Sequence, residues 1–134
     1  MEISGAHHLA VKVADLARAE SFYVSVLGLP VIRRWRSSDG GQDRSVWLDV
    51  GGGTFLALER GETGPHKSEN ASGIHLLALR IRRDQREAWA SMLAQAGYAV
   101  YQQTSFTLYV QDPEGNRIGL SHWPEPWPAS EPHP

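Results

Sequence analysis

The sequence predicts an α+β fold made of two β-α-β-β-β modules, paired so that a curved mixed sheet surrounds a cleft. Three observations predict it. First, residues 7–13 (His-His-Leu-Ala-Val-Lys-Val) and 75–81 (His-Leu-Leu-Ala-Leu-Arg-Ile) are near-copies: His7 matches His75, Ala10 matches Ala78, Lys12 matches Arg80 and Val13 matches Ile81. Second, each copy alternates as a half-buried strand does, then leads through an Asp into a helical pattern. Third, short alternating runs separated by glycine or proline turns follow each helical pattern. One structural unit is therefore used twice, and function is expected where the two units face each other.

The first strand is expected over residues 5–13, with Leu9, Val11 and Val13 on one face and His8, Ala10 and Lys12 on the other. Asp15 is suited to cap a helix over 16–27, because its carboxylate can accept from free first-turn amides. Leu16, Ala19, Tyr23, Val26 and Leu27 form the apolar stripe, with Phe22 beside it. Gly28 is a natural residue to end this helix, and Pro30 prevents its resumption. Residues 31–36, 45–50 and 54–59 read as strands, and the last two are joined by Gly51-Gly52-Gly53 as an antiparallel hairpin. In the second unit a strand runs to Ile81. Asp84, with Glu87 three positions on, has the spacing of a capping box for a helix over 85–96. Strands follow over 98–103, 104–110 and 117–121. Asp112-Pro113-Glu114-Gly115-Asn116 is a turn: proline fixes φ early, and glycine or asparagine accepts positive φ later.

These elements divide the chain into a first module over 1–61, a polar linker over 62–73, a second module over 74–123 and a proline-rich tail over 124–134. Five prolines in the tail exclude a regular helix or central strand, so an extended, mobile segment is expected.

Composition narrows the function. A net charge of −2 without a basic block gives no reason to expect nucleic acid as a partner. The absence of cysteine excludes disulfides, thiolate zinc sites and a cysteine nucleophile. No apolar run approaches the roughly 20 residues of a membrane helix. The first residues lack the basic and apolar regions of a signal peptide, so the cytoplasm is the expected location. Glycine-rich Gly51-Gly52-Gly53 opens no helix and is no phosphate cradle. No hydrolase, P-loop or dinucleotide fingerprint is present.

The strand faces turned away from the helices carry the candidate binding residues. They are His8, Lys12, Trp47, Asp49, Phe55, Glu59, Leu76, Arg80, Tyr109, Arg117 and Ser121. Aromatics, small residues and a few charges together suit a ligand cleft. A solvent-exposed face would explain the charges, but not Trp47, Phe55 and Leu76 together.

The stretch His8-Leu-Ala-Val-Lys-Val-Ala-Asp15, the pairs Phe22-Tyr23 and Gly28-Leu29, and the turn Asp112-Pro113-Glu114-Gly115-Asn116 resemble the vicinal oxygen chelate superfamily. That superfamily holds glyoxalase I, extradiol dioxygenases, fosfomycin-resistance enzymes and bleomycin-resistance proteins. The resemblance covers residues 1–123 and implies the paired-module fold and a homodimer. It also implies a metal position at one inward residue of each of four strands. His8 matches the first of these. The others fall on Ala57, Leu76 and Gly119, whose side chains cannot coordinate. Glu59 lies two along from Ala57 on the same face and is the alternative carboxylate. His75 is one residue out of phase with Leu76, and in a strand one residue means the opposite face. A bulge at His75, a ligand from a partner subunit or nearby His122 would be needed to restore the set.

The expected function is thus binding of a small, partly aromatic or planar molecule without a complete metal site, as in the bleomycin-resistance branch. Trp47, Phe55 and Tyr109 supply stacking area. Lys12, Arg80 and Arg117 attract an anionic group, and Asp49 or Glu59 a cationic one. No cofactor is expected. The alternative is a metal-dependent lyase, isomerase or dioxygenase in which His8 and Glu59 hold a divalent ion that polarises substrate oxygens.

Overall fold

A computed structural model describes residues 1–64, 68 and 70–127. The chain divides into two compact units, Met1–His66 and Lys67–Pro134. In the first, strands β1 (His8–Val13), β2 (Val31–Arg36), β3 (Asp43–Asp49) and β4 (Phe55–Arg60) form one mixed sheet in the order β1-β4-β3-β2. β1 lies parallel to β4, and the other pairs are antiparallel. In the second, β5 (Leu77–Arg80), β6 (Gln102–Gln103), β7 (Thr107–Gln111) and β8 (Arg117–Ser121) take the order β5-β8-β7-β6, again with one parallel pair, β5 with β8. The twice-used plan is present, with the α+β composition expected of it.

The first helix begins where its cap requires. Asp15 is extended (φ −114°, ψ 94°), and its carboxylate accepts from Arg18 N at 3.0 Å. The helix is not uniform, however. α1 covers Leu16–Glu20, and a π-helical segment, Ser21–Val26, continues it. Leu27 N donates to Phe22 O at 3.0 Å, five residues back. The wider turn changes the phase of the apolar stripe, so that neighbouring Phe22 and Tyr23 are both 0% exposed. α1 packs on β3 and β4, where Val46, Leu48, Leu56 and Leu58 are buried. Gly28 then takes φ +77° and ends the helical run.

Arg34 holds the outer strand to this helix. It donates to Glu20 and, at 3.1 Å, to Asp43. These carboxylates, Glu20 first, hold its guanidinium above its ordinary value.

The second helix departs from expectation at its start. A 3-10 turn, Arg83–Gln85, precedes α2 (Arg86–Gln95), and the capping residue is Gln85, without a side-chain hydrogen bond. The capping box expected of Asp84 and Glu87 does not form. Both oxygens of Asp84 instead accept from Arg82. β6 is also shorter than the strand expected over 98–103, although Tyr101 N still donates to Tyr109 O at 3.1 Å. The unit's buried apolar residues are Leu93, Leu108, Val110, Ile118 and Leu120.

The Asp112 turn forms as read. One oxygen of its buried carboxylate accepts from Glu114 N and Asn116 N at 2.9 and 2.8 Å; the other accepts from Asn116 Nδ2 at 3.0 Å. Past β8, Glu125 N donates to His122 O and Trp127 N to Ser105 O. These bonds tie the start of the proline-rich segment to the strands. Residues 128–134, and residues 65–67 and 69 of the expected linker, lie outside the described residues.

Candidate functional site

Strand register builds one face of the first sheet into a row of rings. β1 sets His8 opposite Phe55, and β3 sets Trp47 opposite Ala57. Their side chains share the face away from α1. His8 stacks on Phe55 with centroids 4.7 Å apart and rings 5° from parallel. Phe55 stacks on Trp47 at 4.4 Å, and Trp47 meets Trp35 edge-on at 5.6 Å. Arg33 closes the row, its guanidinium 3.8 Å from the Trp35 ring centre.

Trp35 reaches this face through an irregularity. β2 and β3 are out of step between Val31 and Arg33, so Trp35 falls opposite Ser45. Continued without the shift from Val31 opposite Leu48, Trp35 would be out of phase with Trp47; a second irregularity, between Trp35 and Arg36, leaves Arg44 unpaired beside Ser45.

The next row across the sheet is Lys12, Glu59, Ser45 and Trp35. With Trp47, Arg44 and Arg60, these residues line a hollow of about 410 Å³, within the roughly 300–1,000 Å³ range of ligand pockets. Among the described residues Trp35 Nε1 and Ser45 Oγ have no hydrogen-bond partner, and both atoms are buried. Arg60 donates through Nε and Nη2 to Asp43 O at 3.2 and 3.1 Å.

The corresponding face of the second sheet pairs most of its polar groups internally, although among the described residues Arg117 Nε is buried without a hydrogen-bond partner. Arg117 lies 4.1 Å from the Tyr109 ring centre and donates through Nη2 to Gln102 Oε1 at 2.9 Å. Thr107 Oγ1 donates to Ser121 Oγ at 3.0 Å. Leu76 reaches over Gly119: a Cβ at position 119 would stand 3.4 Å from Leu76 Cδ1 and 3.1 Å from Thr107 Cγ2. Arg80 lines a separate hollow of about 420 Å³ with residues 81–84 and 122–125.

Arg86, 3% exposed, donates to His122 Nε2 at 2.9 Å, Gln103 Oε1 at 3.1 Å and Thr104 O at 2.8 Å. Burial holds its guanidinium below its ordinary value. His122 Nδ1 donates to Glu125 O. His122 is thereby a buried brace within its own unit.

The model of the glyoxalase/bleomycin resistance protein/dioxygenase superfamily matches residues 5–120. The chain belongs to this superfamily. It is similar to catechol-2,3-dioxygenase of Bacillus subtilis, 26% identical over 113 residues, which cover 79% of this chain and 36% of that protein. It is also similar to glutathione transferase FosA of Serratia marcescens, 24% identical over 117 residues, which cover 85% of this chain and 77% of that protein. The chain thus spans about a third of the dioxygenase's length. Among solved structures, a glyoxalase/dioxygenase from Nostoc punctiforme shares the fold with TM-score 0.74 at 19% identity, over 91% of this chain and 92% of that one.

The superfamily's metal positions can be tested against the side chains present. His8 offers a ring nitrogen, but Ala57, Leu76 and Gly119 offer no donor. A Cβ added at position 119 would stand 3.1 Å from Thr107 Cγ2, so a side chain there would need that neighbour to shift. Glu59 is the alternative carboxylate. It lies opposite Lys12, four residues along β4 from the partner of His8, a distance of about 13 Å. Metal ligands reach only about 2 Å from the ion. Among the described residues no three His, Asp or Glu side chains converge on one point. The donor set does not fit the superfamily's metal centre.

Within the first unit the structure therefore joins His8, Phe55 and Trp47 in one stack and sets Lys12, Glu59 and Trp47 around one hollow. Asp49 is diverted to the glycine turn, where its carboxylate accepts from Gly51 N at 2.8 Å. In the second unit Tyr109, Arg117 and Ser121 are engaged with neighbours, and Leu76 packs over Gly119. His75 is exposed, and the imidazole of His7 instead lies against His8, with Nδ1 atoms 2.8 Å apart. Sequence reading missed Trp35, Ser45, Arg44 and Arg60. The alternation of Arg33 and Trp35 was a signal, but only the irregular register assigns those residues to the open face.

Proposed function

We propose that the chain binds a small, planar, partly aromatic molecule on the open face of its first sheet, without relying on a metal centre of the superfamily type. The observation that carries this reading is the continuous row His8, Phe55, Trp47 and Trp35, bordered by a hollow of ligand size. The rings hold one another in place, so the apolar surface they leave uncovered is offered at little cost in side-chain entropy. Ala10 and Ala57, opposite one another between these rings, keep the floor low. The second support is the donor count: one ring nitrogen where the superfamily's metal sites need four ligands.

Titration of the full chain with 2-naphthol, followed by tryptophan fluorescence and thermal unfolding, tests the reading. Saturable quenching and a concentration-dependent rise in Tm are expected. Absence of both overturns it. The rival reading, a metal-dependent lyase, isomerase or dioxygenase using His8 and Glu59, draws support from the names of the curated relatives. Metal analysis of protein purified without chelator decides between them. A stoichiometric ion lost on His8→Ala would establish the rival. The expected homodimer and cytoplasmic location belong to the same proposal, and light scattering and cell fractionation check them.

A further inference from the structure

We infer that the hollow beside Trp35 and Trp47 selects planar aromatic anions, with the ring on the tryptophans and an oxyanion toward Lys12 and Arg44. The inference rests on the proposed binding reading and names the ligand class. Three features converge on it. The lining carries three cations, Lys12, Arg44 and Arg60, against one carboxylate, Glu59. Among the described residues neither Lys12 nor Arg44 forms an ion pair, and Lys12 stands opposite Glu59 without forming one. Their charge is therefore available to a ligand.

The second feature is buried. Ser45 lines the hollow, is 6% exposed, and has an Oγ without a partner; Trp35 Nε1 is in the same state. An indole N–H only donates, and a hydroxyl can donate too. Leaving such groups buried and unmade is costly, so native structures rarely do it without a ligand or water to complete them. Both neighbours are donors, and both call for an acceptor atom.

The third feature is geometry. Lys12, Glu59, Ser45 and Trp35 occupy consecutive strands in one row, about 4.8 Å from strand to strand. The row spans about 14 Å, enough for a two-ring molecule with its charged group at one end. Donors at both ends and in the middle favour an acceptor-rich edge. Carboxylate and phosphate share this chemistry.

Isothermal titration of the full chain with 2-naphthoate, 2-naphthyl phosphate and neutral 2-naphthamide tests the inference. At least one anion is expected to bind ten times more tightly than the amide or better, and the tighter of the two names the oxyanion. Lys12→Gln and Arg44→Gln, both at exposed positions, should each shrink that preference at least threefold while leaving the amide's affinity within twofold. Ser45→Ala should weaken the anions by a larger factor than the amide, because a hydrogen bond to an ionised acceptor is the stronger one. An amide that binds as well as both anions overturns the ligand class while the binding reading survives. So does a preference that persists in both charge variants. Failure of all three compounds to bind overturns the binding reading, and the inference with it.

Discussion

The two units repeat one strand order and one pattern of parallel and antiparallel pairing, yet they use their open faces in opposite ways. The first presents stacked rings, unpaired cations and two buried donors without partners. The second covers Tyr109 with Arg117, ties Arg117 to Gln102 and pairs Thr107 with Ser121. The backbone plan is therefore not what singles out the first face in the proposed reading. The faces differ in how many buried donors lack partners among the described residues: Trp35 Nε1 and Ser45 Oγ on the first, Arg117 Nε alone on the second. A ligand can supply the bonds missing from the first face, but on most of the second it would have to break bonds already made.

The braces of the two units differ by the reverse rule, and this difference gives the largest expected effect. Arg34 clamps the first helix through side chains that remain in contact with water: its own is 42% exposed. Arg86 performs the like task in the second unit from a buried position, supplying three acceptors. Arg86→Met should lower unfolding free energy by about 3 kcal/mol, since buried acceptors lose their donor. Arg34→Met should cost about 1 kcal/mol or less. Urea denaturation of both variants measures the contrast, and similar losses would remove it.

Gly119 offers the next test, because it asks whether the second face can be reopened as a metal position. Gly119→Glu must fit a Cβ 3.1 Å from Thr107 Cγ2 and then bury a carboxylate beyond it. A loss of about 2 kcal/mol is expected, without gain of a bound divalent ion. Denaturation and metal analysis after dialysis check this. A stable variant holding one ion per chain would show that one missing side chain, and not the packing around it, keeps the centre from forming.

Much of this contrast was legible in the sequence, and what escaped it has a physical cause. The paired copies at 7–13 and 75–81, Asp15, Gly28 and the Asp112 turn act locally, so their residue types are enough to read them. The row of rings could be read as far as Phe55 and Trp47, because both lie in regularly alternating strands. Trp35 could not, because a register shift in β2 resets its phase, and such shifts depend on the partner strand. The π-helical segment Ser21–Val26 is hidden too, because its residue types continue the apolar stripe of an ordinary helix and nothing local marks the wider turn. His8 and Glu59 looked like potential co-ligands since both face one way, but pairing to β1 places them at opposite ends of the face.

The stacking residues of the two faces give a smaller, more local comparison. Trp47→Ala removes the ring between Phe55 and Trp35 and should weaken binding of a planar compound on the order of 30-fold, near 2 kcal/mol. Tyr109→Ala should change it less than about twofold, because Arg117 already occupies that ring's face. Fluorescence titration of the two variants compares them. An equal loss from both would mean that the second face is as much a binding surface as the first.

The smallest effect concerns the two Asp residues that precede the helices. They look equivalent in sequence, but only Asp15 has its carboxylate on a helix amide, 3.0 Å from Arg18 N. Asp84 sits in a 3-10 turn and gives both oxygens to Arg82, in a pair whose side chains are 73% and 61% exposed. Loss of a working cap costs about 1 kcal/mol, whereas an exposed ion pair contributes at most a fraction of that. Asp15→Ala should therefore lower Tm by several degrees, and Asp84→Ala by no more than about one or two. Arg82, two residues back, accounts for the difference: it offers Asp84 two charged donors before the helix can offer a single amide. Arg82→Ala removes that competitor, so a subsequent Asp84→Ala change would become more costly if the carboxylate then turned to the helix. If Asp84→Ala costs as much with Arg82 present as Asp15→Ala does, the carboxylate caps α2 after all, and the two helix starts work alike.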